Sequence, residues 1–199
     1  MASVTRNPRP LFVTTLPAGS DGMEVFYQST TAGTGGGASN SMADVGAVWH
    51  LRYRAASASA YKWEAVGASP VSNIVATAEF TTGGSYGAAT APVTAGPLLT
   101  VPLKGDFIVS LGANIQPNAA NGFGLMSYKI GAAAATDADA ISLRTGSGGA
   151  NDSGYVYRDK LQTFTAATTD LLAQYRYGGS ASRADFDSRF ISITPIRVG

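Results

Sequence analysis

The sequence predicts an all-β fold: a small N-terminal β-meander plus a C-terminal β-sandwich or jelly roll, with very little helix. Three observations lead there. Nearly every apolar run alternates with period two. The runs are short, closely spaced and separated by Gly, Pro, Asn and Asp. The one helix candidate, residues 132–140, is interrupted by Thr136 and Asp137, which leaves it one or two turns.

Residues 1–20 read as an extended arm, because Pro8, Pro10 and Pro17 remove backbone donors and the segment has no period. Met23-Glu24-Val25-Phe26-Tyr27 is a short strand. Residues 29–47 are Gly, Ser, Thr and Ala around Gly35-Gly36-Gly37, a loop longer than most in compact domains. In Val48-Trp49-His50-Leu51-Arg52-Tyr53-Arg54, Trp49, Leu51 and Tyr53 face one way and His50, Arg52 and Arg54 the other. After a small-residue turn, Tyr61-Lys62-Trp63-Glu64 alternates again. These runs make a hairpin with an aromatic face and a charged face. A register pairing Tyr53 with Trp63 sets Arg52 opposite Glu64, and is preferred to the one that sets Arg52 against Lys62.

Gly67-Ala68-Ser69-Pro70 breaks the chain, so residues 21–67 are read as the meander and residues 72–199 as the sandwich. Further strands are expected at 74–81, 98–103, 107–115, 123–130, 141–143, 155–164, 171–177 and 186–198. In the last of these, Phe190 and Ile196 share one parity and Ile191 and Ile193 the other. One set must therefore meet solvent or a partner, and Phe190, Ile191, Ile193 and Ile196 are the candidate oligomer interface.

Composition excludes several classes of function. The chain has 199 residues, 14 Lys and Arg against 13 Asp and Glu, one His and no Cys. A net charge of +1 is not that of a dedicated nucleic-acid binder. Without Cys there are no disulfides, thiolate metal sites or Cys nucleophiles. A single histidine, His50, rules out a His-rich metal site and gives a triad only one candidate base; its place on the charged face suits a cross-strand partner. No cofactor is expected, and no catalytic residue is assigned. No apolar run reaches membrane-spanning length, and the N-terminus has no signal-peptide core, so classical export is not expected. The 33 alanines and 24 glycines, with only 14% charged residues, make a surface poor in charge.

The acid pairs Asp137/Asp139 and Asp185/Asp187 have spacing two. They suit solvated turns better than a glycosidase constellation. Trp49, Tyr53, Tyr61 and Trp63, with Arg52 and Glu64, have two readings: a platform for sugar rings and their hydroxyls, or the core of a small hairpin.

Asp21-Gly22-Met23-Glu24-Val25-Phe26-Tyr27, then Val48-Trp49-His50-Leu51-Arg52-Tyr53-Arg54, then Ser59-Ala60-Tyr61-Lys62-Trp63-Glu64-Ala65-Val66-Gly67 resemble a segment of minor tail and fibre-like structural proteins of tailed bacteriophages infecting actinobacteria. Ala65 and Ala68 stand where that pattern usually has Phe and Gly. Lys104-Gly105-Asp106-Phe107-Ile108-Val109 and the ending Thr194-Pro195-Ile196-Arg197-Val198-Gly199 extend the resemblance. The C-terminal part is similar in architecture to trimeric C1q/TNF-type jelly rolls. The resemblance implies a structural virion protein and not an enzyme, of tail-tip or fibre type. It would be a homotrimer bound to other virion proteins, contact host-surface glycan, be made in the host cytoplasm and be released by lysis. A capsid decoration or head-fibre role is the alternative. A lectin-like module and a glycan depolymerase are the rivals from other classes.

Overall fold

The computed structural model describes residues 11–30, 39–40, 42, 46–88 and 96–199. The first half of the expected arm and most of the Gly-rich loop lie outside the described residues. Among these residues the chain is all-β, a sandwich of two sheets, and the expected helix is a single 3₁₀ turn at Asp137–Asp139.

The strands, in chain order, are β1 (Leu11–Val13), β2 (Glu24–Tyr27), β3 (Ser39–Asn40), β4 (Trp49–Tyr53), β5 (Trp63–Ala68), β6 (Val71–Val75), β7 (Glu79–Thr81), β8 (Leu98–Val101), β9 (Gly105–Pro117), β10 (Gly122–Ile130), β11 (Ile141–Arg144), β12 (Gly154–Phe164), β13 (Thr169–Gly179) and β14 (Ala184–Val198). The larger sheet runs β1-β2-β4-β5-β14-β9-β12, and the smaller runs β11-β10-β13-β8-β3. The latter half of the arm is therefore partly regular, since β1 pairs parallel with β2.

β14 organises the larger sheet. One edge pairs with β9, and the other takes β5, β6 and β7 end to end. The hairpin strands join it where Glu64 faces Arg197 and Trp63 faces Val198. Residues 21–67 and 72–199 thus share a sheet, and they share a core. Trp49 packs on Phe107 at 5.8 Å, and Tyr61 Oη donates to the Phe164 carbonyl at 3.1 Å.

Strict alternation does not hold along β14. The register with β9 shifts between Asp187 and Phe190 and again between Pro195 and Arg197, and Ser188 has a positive φ of 48°. Each bulge adds one residue and reverses which parity faces the core. Ala184 and Phe186 point inward, then Ile191, Ile193 and Pro195, then Val198. This corrects the interface reading. Ile191 and Ile193 are fully buried in the chain's own core, and only Phe190 and Ile196 are partly exposed.

Between the sheets lies an ion pair that no sequence pattern announced. Arg189 and Glu79 are both wholly buried, with Nη1 and Oε2 2.8 Å apart. Arg189 also donates to Tyr175 Oη at 3.1 Å and to the Thr77 carbonyl at 3.1 Å, while Tyr175 Oη donates to the Gly96 carbonyl at 2.8 Å. These hydrogen bonds offset the desolvation of the two charges. Burial pushes the Tyr175 phenol well above its ordinary value, so it stays protonated and can donate.

Candidate functional site

The hairpin places its aromatic residues according to the register expected from its charges. Tyr53 faces Trp63, Arg52 faces Glu64, and the Arg54 backbone N–H donates to the Lys62 carbonyl across the turn. Trp49 is 0% and Trp63 3% exposed, so neither ring is available as a sugar platform. The Trp49 indole N–H donates to the Ser69 carbonyl at 3.0 Å, and Tyr53 meets Trp63 edge-on at 5.3 Å. Tyr53 and Tyr61 are half-buried, and Tyr61 uses its hydroxyl on Phe164.

The charged face of the hairpin is the beginning of a longer feature. Pairing registers align Glu24, Arg52, Glu64, Arg197 and Asp106 in one row across five neighbouring strands, with signs that alternate along it. Arg52 binds Glu24 through Nη2 at 2.6 Å, and Glu64 takes Arg54 at 3.1 Å and Arg197 at 3.4 Å. Asp106 accepts from Thr163 at 2.7 Å. Opposite charges on facing strands support the register. His50 is part of this row's margin: Nε2 lies 3.0 Å from Glu24, and its ring lies tilted against Phe26 at 4.8 Å, which in turn stacks on Phe12. The Arg52 hydrogen bond, then that of His50, holds the Glu24 carboxyl below the usual carboxylate range. His50 is thus a cross-strand partner of Glu24 and Phe26.

The acid pairs are separated by their environments. Asp137 binds Arg176, whereas Asp139 binds Lys160 and accepts from Thr136. Asp185 binds Arg183, and Asp187 accepts from the Ser188 backbone. No pair stands free to act as acid and base across a substrate. Among the described residues, no group of three or more His, Asp or Glu is placed to hold a metal ion.

The outer face of the larger sheet, on the side of β12, carries several large apolar side chains. Registers line up Ile74, Phe190, Gly112 and Tyr157 across β6, β14, β9 and β12. Tyr155 lies one row away beside Asn114, and Leu161 lies opposite Ile108. Ile74 is 67% exposed, and Tyr155, Tyr157 and Leu161 are each 59% exposed. Tyr155, Tyr157 and Leu161 lie along β12, with the Asp159 carboxylate between Tyr157 and Leu161, and the Phe190 ring over Gly112 carries the apolar surface across β9 and β14 toward Ile74 on β6. Alternation along β12 foretells its outward Tyr155, Tyr157 and Leu161; their alignment with Ile74 and Phe190 depends on long-range pairing and was missed. Of the expected interface residues, this face contains Phe190, with Ile196 at the neighbouring bulge.

Compared with known proteins, the chain matches no family model, and no curated protein matches it.

Proposed function

We propose that the chain is a structural subunit of a tailed-bacteriophage particle, of tail-tip or fibre type, that assembles with copies of itself and presents a rigid β-scaffold at the host surface. The exposed apolar face formed by Ile74, Phe190, Tyr155, Tyr157 and Leu161 carries this reading. Each large apolar side chain left in water forgoes roughly 1.5–3 kcal/mol of burial. A surface with few charges offers little to offset several of them at once. Covering the face with identical subunits removes the penalty, and closed symmetry stops the contact from propagating. Three-fold closure follows from the likeness to fibre-type jelly rolls. The resemblance carried by residues 21–67 supports the virion setting.

Sedimentation of the full chain at micromolar concentration tests the assembly. A trimer that dissociates when Tyr157 is replaced by Asp is expected, and a monomer in the parent protein would overturn it. Mass spectrometry of purified particles tests the setting. A few copies per particle are expected of a tail-tip or fibre component, whereas a copy number near that of the major capsid protein would mark a decoration protein.

A further inference from the structure

The outer face of the smaller sheet has its own depression, remote from the assembly face. The segment after β10 folds back over this face, fixed where Ser127 Oγ donates to the Thr136 carbonyl at 2.8 Å. Beside that fold opens a cavity of about 220 Å³, lined by Phe123, Leu125, Asp137, Ser142, Arg144 and Arg176. These residues come from β10, the 3₁₀ turn, β11 and β13. Phe123 faces Arg144 on one neighbouring strand and Gly178 on the other. Because Gly178 has no side chain, the ring lies down across the sheet and forms an apolar floor; a Cβ there would run into it.

The two arginines differ. Arg176 is fully engaged: its Nε and Nη2 bind the two Asp137 oxygens at 3.1 and 2.5 Å, and Tyr86 Oη donates to the same carboxylate at 2.8 Å. Arg144 is held only by the Phe123 ring, 5.3 Å from its centroid, and makes no hydrogen bond or ion pair among the described residues. Two guanidiniums against one carboxylate leave the pocket one positive charge in excess. Arg144 therefore presents a planar fork of donors, suited to bidentate capture of an oxyanion. Ser142 supplies a hydroxyl on the same wall. The outward side of Asp137 supplies acceptor oxygens, its carboxyl held below the usual range chiefly by Arg176 and then by Tyr86.

We propose that this pocket binds a small hydroxylated carboxylate, of the size and chemistry of a single uronic acid residue. The carboxylate pairs with Arg144, the hydroxyls exchange hydrogen bonds with Ser142 and Asp137, and the apolar face of the ring rests on Phe123 and Leu125. A cavity of about 220 Å³ is below the range usual for drug-sized ligands and matches one ring in size.

Calorimetric titration of the full chain with glucuronate tests this, with glucose and inorganic phosphate as comparators. Saturable glucuronate binding is expected, with glucose weaker by about tenfold or more because it lacks the charged group that pairs with Arg144, and with phosphate weaker because it has no ring to rest on Phe123 and Leu125. Arg144→Gln should weaken glucuronate by a similar factor, and Ser142→Ala by a smaller one. Both residues are exposed, and matching melting curves would show that the variants remain folded. The proposal is overturned if glucuronate fails to saturate, if glucose or phosphate binds equally well, or if Arg144→Gln binds as the parent does.

Discussion

The ring of Phe190 lies across Gly112 of the neighbouring strand, where a Cβ would run into it. The glycine removes the side chain that would otherwise lift the ring off the sheet. Phe190 thereby becomes part of a flat outer surface continuous with Ile74 and Tyr157. Overpacking of this kind typically costs about 1–3 kcal/mol. Gly112→Ala is expected to lower the melting temperature and, by tilting Phe190 outward, to weaken self-association. Differential scanning calorimetry and sedimentation of the same sample check both effects.

Trp63 anchors the hairpin to β14 and to Tyr53. Trp63→Ala should destabilise the protein by about 3 kcal/mol or more, the range of large aromatic truncations in cores. Denaturant unfolding reads this directly. A variant of unchanged midpoint would show that the buried ring contributes little.

The Arg189–Glu79 pair yields a double-mutant test. Glu79→Gln leaves a buried guanidinium without its counter-charge, and about 3–5 kcal/mol of destabilisation is expected. Replacing both residues with Met removes both charges and should recover much of that loss. Chemical unfolding of Glu79→Met, Arg189→Met and the double variant measures the coupling.

Acid should loosen the surface ladders in a defined direction. Glu24, Asp137 and Asp159 all have carboxyl groups below their ordinary values, because of Arg52 for Glu24, Arg176 for Asp137 and Ser110 for Asp159. For a depressed carboxyl, the stabilising contribution is fully present above the unfolded value of about 4 and is lost as pH falls through the folded one. The melting temperature should therefore fall on acidification below about pH 4. Glu24→Gln and Asp137→Asn together should flatten that part of the profile.

Local pattern determined the all-β class, most strand positions and the hairpin register, because side-chain alternation and cross-strand charge act between near neighbours in the chain; the single strand expected at 74–81 is instead β6 and β7, separated by residues 76–78. Tyr53 opposite Trp63 and Arg52 opposite Glu64 could be read that way. The reversal of faces along β14 could not. A bulge is the insertion of one residue relative to a partner strand, and that partner, β9, lies far back in the chain, Asp187 pairing with Asn114 and Arg197 with Asp106. Alternation alone could say only that one of the two sets faces outward, and the bulges decide that Ile191 and Ile193 enter the core while Phe190 and Ile196 face out. The same reason hid the Arg189–Glu79 pair and the pocket around Arg144. Each joins residues from separate strands, and only the packing of two sheets decides which polar groups meet away from water.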